Sequence, residues 1–450
     1  MNLLALLRRP EGKTLEFKRD LSSPDGVLRS VVAFANTAGG TVLIGVEDRT
    51  RHVRGIDDVL DVEERLASLI SDHIVPRVVP ELEILPWQRK QVLAIQVHAS
   101  PIRPHYVRRE GLDGGAYVRV GSTNRRADRE LLEELQRFAR GQAYDEEPMP
   151  DLGSEAIDFR AASESFVRVR RLRRADLQTL RLMTRHQGRR VPTIGGVLLF
   201  GKQREEHFPD AWIQAGRFQG ADRSRILDSA EIRAHLCNAV EEAVAFVEKH
   251  AFHGAHIGRV RREERSNVPP VAIREAIVNA LVHADYAQRG APIRLAIYDD
   301  RVEIENPGLL PFGLTLDDLP RGISKLRNRV IGRVFHALGL VEQWGSGIQR
   351  MMTACRDAGL APPVLEEIGT RFRVTLHLGK VGPPLLNETD RAIVRVLGDE
   401  VGHLTSEIAR AIGLTPRATR TRLLRLVERG LIREVATSPQ DPKRRYYLPA

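Results

Sequence analysis

The chain has 450 residues, too many for one hydrophobic core by the usual scaling of surface with volume, so about three domains are expected. A content of 42% hydrophobic and 28% charged residues is that of a folded, soluble chain, and argues against a disordered or fibrous one. Lys and Arg number 69 against 59 Asp and Glu, a net charge of +10 that favours a polyanionic partner, although an Arg-rich proteome would produce the same excess.

Two cysteines, Cys237 and Cys355, stand far apart, and His235 makes only a lone pair with Cys237, which argues against a disulfide framework or a zinc site. The first ten residues hold a short apolar run broken by Arg8 and Arg9, unlike a signal peptide, and no long apolar stretch follows. A cytoplasmic location without membrane contact is the expectation.

In chain order, residues 1–130 read as an α/β unit. A short helix at 3–7 and a strand at 14–17 precede a helix at 25–37 that carries Val27, Val31, Val32, Phe34 and Ala35 and is stopped by Gly39 and Gly40. Strands follow at 41–46, 82–85, 91–97 and 116–120, with a helix at 62–74. The acidic, Pro-containing stretch 144–151 reads as a linker. Beyond it, strands at 195–200 and 212–218 and a long helix at 229–250 read as a solvated connector. Arg217, Arg223 and Arg225 beside Phe218, and an Arg-rich stretch at 259–265, offer a competing reading as further nucleic-acid surface.

Residues 270–378 read as another α/β unit. Its helix at 271–284 places Glu275 and Asn279 one turn apart on one face, where a carboxylate and an amide can position water and hold Mg2+ between phosphate oxygens. Spacing alone fits a solvated polar face equally well. Strands at 293–298 and 302–305 lead into Asn306-Pro307-Gly308, and Gly345-Ser346-Gly347 opens a helix whose first amides are free for phosphate. No G-x-x-x-x-G-K-[ST] string occurs, which excludes a P-loop motor.

After a second linker at 379–384, Asn387 or Thr389 caps a helix with Ile393, Val394, Val396 and Leu397 facing a core. A short helix at 406–411, a turn at Gly413 and a helix opened by Thr415-Pro416 follow, with Ala418, Leu423, Leu426 and Val427 expected to point inward. Strands at 431–435 and 445–448 flank a turn. Helix, short helix, turn, basic helix and hairpin is the order of a winged helix, and residues 387–450 hold 12 Lys and Arg against 8 Asp and Glu. Arg417, Arg420, Arg422 and Arg425 would meet phosphates and guanine edges, and Lys443, Arg444 and Arg445 would lay the wing on the backbone. A winged helix serving protein contacts alone is the other reading.

Two resemblances to known families add to this. The strings EGKTLEFK (11–18), VAFANTAGGTVLIGVED (32–48) and YVRVGSTNR (117–125) resemble the Schlafen-type AlbA-like domain. In its nuclease members the matching acids form a metal site. The resemblance therefore implies Glu11, Glu16 and Asp48 as ligands of Mg2+ or Mn2+, with Lys18 near the phosphate, or else a domain that only grips DNA or RNA. The strings REAIVNALVHADY, RVEIENPGLLPFGLT and VEQWGSGIQRMM resemble the divergent GHKL fold labelled RecG-helicase-like. This implies ATP held by Glu275, Asn279, Asn306, Gly308, Gly345 and Gly347, with Asn279 on the metal. Asn306 stands where the wider superfamily has an Asp, and Leu310 where it has its last glycine.

The expected fold is thus multidomain, α/β and α+β. It comprises a Schlafen/AlbA-like domain (1–140), a connector (150–266), a GHKL-like α/β sandwich (267–380) and a winged helix-turn-helix (386–450). Two functions stand. One is a DNA-binding, ATP-binding transcriptional regulator, expected to form a dimer or higher homo-oligomer and at most a weak ATPase. The other is a metal-dependent endonuclease acting on RNA or single-stranded DNA in defence or stress.

Overall fold

A computed structural model of the chain describes residues 1–251, 255–257, 262–264, 268–341, 345–378, 388–399, 402–428, 432–435 and 444–448. It divides into two compact units, residues 1–380 and 381–450.

The first unit opens with a four-stranded sheet in the order Leu15–Lys18, Gly40–Ile44, Lys90–Val97, Glu81–Trp87, the first pair parallel and the others antiparallel. Helices Pro24–Asn36 and Val59–His73 cover one face around Val31, Phe34, Ile44 and Ile95. The Leu3–Arg8 helix covers the other around Phe17, Leu43 and Val92. The glycine pair after Asn36 is required by space. A Cβ on Gly39, at φ +78°, would lie 2.8 Å from the Val97 carbonyl, and one on Gly40 would lie 2.9 Å from the Phe34 ring. Asn36, fully buried, donates to the carbonyls of His105 and Tyr117 and accepts from the His105 amide at 2.7 Å, tying the helix end to the later strands.

A six-stranded sheet dominates the rest of this unit, in the order Ile226–Ile232, Ile213–Phe218, Ile293–Ile297, Arg301–Pro307, Arg371–His377, Val364–Ile368. Its second and third strands run parallel. Helices Leu236–Ala251 and Pro270–His283 belong to the same core, which extends from Ile157 to Leu376. The segment 150–266, expected as a connector, therefore supplies two strands and a long helix to the sheet of the following unit.

Three local expectations change for physical reasons. Residues 195–200, read as a strand, lie in the fully buried helix Ile194–Phe200, capped by Thr193 Oγ1 accepting from the Gly196 amide at 3.0 Å. A short apolar run has no period by which helix and strand can be told apart. The helix expected at 229–250 begins at Leu236, because residues up to Ile232 pair with the Ile213–Phe218 strand. The linker expected at 144–151 is anchored: Asp145, fully buried, accepts from the amides of Arg329, Val330 and Ile331 at 2.7–2.9 Å and so caps the Arg329–Ala337 helix.

The two sheets of this unit are joined by specific contacts. Phe312, from the loop after Arg301–Pro307, meets Phe138 edge-on with ring centroids 6.0 Å apart, and the Arg103 guanidinium lies over both rings. The Gly313 amide donates to the Thr37 carbonyl at 3.0 Å, and Lys13 pairs with Glu367 at 2.6 Å.

In the second unit, helices Glu388–Val396, Thr405–Ile412 and Pro416–Glu428 pack with a small sheet in the order His403–Leu404, Arg445–Tyr447, Arg433–Val435. Thr415 Oγ1 accepts from the Ala418 amide, so Pro416 occupies the first helical position, and Gly413 turns the chain at φ +69°. Thr419, Leu423 and Leu426 face the core with Ile393, Ile408 and Tyr446; Ala418, expected inward, is exposed.

Candidate functional site

The Pro270–His283 helix carries Glu275 and Asn279 to the floor of a cavity of about 930 Å3, which Asn306, Gly345 and Gly347 also line. The start of the Gly347–Asp357 helix comes so close that a Cβ on Gly347 would lie 2.7 Å from Glu275 Oε2 and 3.6 Å from Asn279 Nδ2. Residues far apart in sequence thus meet, and the start of a helix, a place whose free amides suit an anion, lies beside Asn279. Gly308 is not part of the lining. At φ +97° its amide donates to the Thr370 carbonyl, and it packs against Asp285, so its role is to turn the chain.

Four buried polar atoms in the cavity wall have no hydrogen-bond partner among the described residues: Asn279 Nδ2, His283 Nδ1, Arg327 Nε and Asn328 Oδ1. Each such atom costs about 1–3 kcal/mol unless a ligand or water meets it. Asn306 donates its amide to the Pro307 carbonyl at 2.9 Å, which leaves the side-chain oxygen as its acceptor. Glu275 is held differently. Its Oε1 accepts from Arg350 at 2.9 Å, with Arg274 at 3.5 Å.

Motif reasoning missed His283, Arg327 and Asn328. Arg327 donates to the Leu309 carbonyl at 2.6 Å and pairs with Glu134, a residue of the Arg129–Ala139 helix in the N-terminal half. A pairing across 193 positions leaves no local signal, although the polar run at 324–328 could have been flagged.

Burial, with the Arg327 charge adding to it, pushes the His283 imidazole from 6.5 down to about 4, so the folded chain holds it neutral. The unfolded chain takes up this proton first as pH falls. The contribution to stability is intact above about pH 6.5 and is lost towards pH 4, by about 3 kcal/mol. His283→Gln is expected to flatten that dependence in urea titrations across the window; parallel curves for the two proteins would refute it.

At the N-terminal sheet the structure does bring Glu11, Glu16, Asp48 and Lys18 together. Glu16, 6% exposed, pairs with Lys18 and, at 2.5 Å, with the fully buried Arg119. Arg119 also donates to the Gly12 carbonyl and to Asn124. Burial pushes the Glu11 carboxyl up to about 7; its bond from the Phe17 amide opposes this, while the hydrogen bond with Asp48 and the charges of Glu16 and Asp48 add to it. Among the described residues no three Asp, Glu, His or Cys side chains are disposed to hold a metal ion, and beside Glu16 stand the cations Lys18 and Arg119.

The seven basic residues expected on DNA separate into classes. Arg417, Arg420 and Arg425 are exposed, and at 3.6 residues per turn they share one arc of about 140°. Arg422 is half-buried and pairs with Asp390 at 3.2 Å; Arg444, 8% exposed, pairs with Glu434 at 3.1 Å. These two hold the unit together. Arg445 is exposed and donates to the Gly402 carbonyl, and Lys443 lies outside the described residues. In the first unit Arg217 pairs with Asp299 and Arg223 with Glu305, while Arg225 is exposed; the stretch 259–265 lies largely outside the described residues.

Comparison with known families agrees with this architecture. Residues 11–128 match the "Schlafen, AlbA_2" family, residues 290–376 the "Putative ATP-dependent DNA helicase recG C-terminal" family and residues 386–433 the "Winged helix-turn-helix DNA-binding" family. The chain carries a Schlafen-type AlbA_2 domain, a GHKL-like domain of the RecG C-terminal kind and a DNA-binding winged helix-turn-helix.

Among solved structures it is similar to the DIP2311 protein from Corynebacterium diphtheriae, at 20% identity and a TM-score of 0.46 over 97% of this chain and 92% of that one. It is also similar to the N-terminal domain of a putative ATP-dependent DNA helicase RecG-related protein from Nitrosomonas europaea, at 28% identity and a TM-score of 0.23 over 28% of this chain and 94% of that one. No curated protein matches it. Among the described residues no helix is long and apolar enough to cross a membrane.

Proposed function

We propose that this chain is a cytoplasmic, nucleic-acid-binding regulator that takes ATP with Mg2+ into the cavity between its two N-terminal domains and engages DNA through its winged helix. The observation that carries the nucleotide part is the set of unpartnered polar atoms, above all Asn279 Nδ2, around a cavity of about 930 Å3 beside a helix start. The Asn279 amide suits the role: one end meets a phosphate oxygen and the other a metal ion that keeps its remaining water and phosphate ligands. Mg2+ would neutralise phosphate charge there. Asn306 offers an acceptor to the base. Because Arg350 engages Glu275, binding with slow hydrolysis is the expected behaviour.

Asn279→Ala is expected to weaken ATP binding by about 10- to 100-fold, the effect of losing one or two charge-assisted bonds, without a change in thermal midpoint. Calorimetric titration of both proteins with ATP and Mg2+ tests this. Equal affinities would remove the nucleotide from the cavity.

Regulation requires that ATP bind two states unequally. The cavity wall includes Glu134 and Phe138 of the N-terminal half, which supports such a coupling. Self-association, as a dimer or higher homo-oligomer, belongs to this proposal and is read by sedimentation.

A second reading, metal-dependent cleavage of RNA or single-stranded DNA, is favoured by one observation, the meeting of Glu11, Glu16, Asp48 and Lys18. It predicts cleavage with Mn2+ that is lost in a Glu16→Ala, Asp48→Ala variant. Binding without cleavage in both proteins supports the regulator.

A further inference from the structure

We propose that the surface formed by residues 168–190 is a separate nucleic-acid-binding face that grips the phosphodiester backbone without reading sequence. These 23 residues contain nine arginines and one carboxylate, Asp176, a net charge of +8 in a chain whose total is +10. The excess positive charge of the whole molecule is therefore concentrated in one twentieth of its length. All nine arginines are exposed.

Arg168 approaches Glu241 at 3.9 Å and Arg170 meets Asp176 at 2.9 Å. Arg171, Arg173, Arg174, Arg181, Arg185, Arg189 and Arg190 have no carboxylate partner among the described residues. In the hairpin of Met183–His186 and Arg189–Pro192, Arg185 stands directly opposite Arg190, and His186 opposite Arg189. Like charges across a strand pair repel, so this arrangement is destabilising until an anion lies over it.

The platform beneath is firm. Leu172, Leu180, Leu182 and Met183 are buried in the main core. The Arg173 amide donates to Asp176 at 2.7 Å, closing the turn before the one-turn helix Asp176–Thr179 that joins the two Arg-rich stretches. Arg170 and Arg174 lie over the rings of Phe166 and Phe159, which orders their stems.

The chemistry selects nucleic acid over other polyanions. Every cation in the stretch is Arg and none is Lys, and a guanidinium fork meets a phosphate with two parallel bonds where an ammonium offers a point charge. Exposed Val167 and Val169 are the features that a lipid surface would use, but two small side chains, with the neighbouring Phe166 fully buried, give little insertion. The inference rests on the reading that the chain binds nucleic acid and is independent of which winged-helix residues touch it.

The test uses the full chain with Arg171, Arg173, Arg189 and Arg190 replaced by Ala, four exposed side chains whose loss leaves the core untouched. Binding of a random-sequence DNA duplex and an RNA duplex is measured across a salt series. The slope of log affinity against log salt is expected to fall by about 3 to 4, and affinity at low salt by about 100-fold, whatever the sequence. The same loss is expected when Arg417, Arg420 and Arg425 are already Glu, so failure of the winged helix as a DNA reader does not hide it. An unchanged slope on both duplexes overturns the proposal, as does a loss confined to anionic phospholipid vesicles.

Discussion

Changing Arg417, Arg420 and Arg425 together to Glu is expected to lower the affinity of the full chain for duplex DNA about 1000-fold at low salt, and to reduce the salt slope by about 3. The three are exposed, share one face of the Pro416–Glu428 helix, and have no carboxylate partner among the described residues. Nothing in the fold depends on them. Each loses a phosphate or base contact of about 1–3 kcal/mol and gains a repelling charge. Arg422→Ala and Arg444→Ala should behave in the opposite way, because each removes an ion pair, to Asp390 and to Glu434, that is made partly out of water. Those two are expected to lower the thermal midpoint of the C-terminal unit. A triple variant that binds as the parent does, with the same salt slope, would place the DNA on another face.

The contrast between Arg417 and Arg422 shows what a sequence conveys and what it withholds. Thr415-Pro416 and Gly413 announced the third helix because caps and turns depend on neighbours in the chain. Which face of that helix is buried depends on Ile393 and Tyr446, which lie far away along the chain. Thr419 therefore took the core position expected for Ala418.

The cavity proposed to take ATP divides in the same way. Glu275, Asn279 and the glycines at 345 and 347 are local patterns and could be read, whereas Arg327 with Glu134, and Phe312 with Phe138 and Arg103, are long-range pairings that only folding creates. The acidic cluster was half legible. Its carboxylates were identified from strings along the chain, but the cation that fills the space beside Glu16 is Arg119, more than 100 positions later.

Asp145 is the residue whose surroundings most contradict its sequence context, and Asp145→Ala is expected to destabilise the first unit by about 3–5 kcal/mol. An acidic stretch with two prolines has the composition of a linker. Yet both Asp145 carboxylate oxygens accept from the first amides of the Arg329–Ala337 helix, which sends Val330, Ile331, Val334 and Phe335 into the core. Removal leaves three amides without acceptors where water has little access.

The neighbouring Glu146, half-exposed and 3.4 Å from Arg329, should cost less than about 1 kcal/mol when changed to Ala, since an ion pair open to solvent contributes little. The difference reaches the cavity. Asn328, just before the capped amides, donates to the carbonyls of Val282 and Ala284 at 2.9 and 2.7 Å and carries one of the four unpartnered polar atoms of the wall. Loosening the helix start releases Asn328 and Arg327 together, so Asp145→Ala should also weaken ATP binding at temperatures where the chain is still folded. Urea midpoints for the two variants, followed by nucleotide titration well below the transition, separate these effects. If Asp145→Ala melts with the parent and Glu146→Ala does not differ from it, residues 144–151 are the linker their composition suggests.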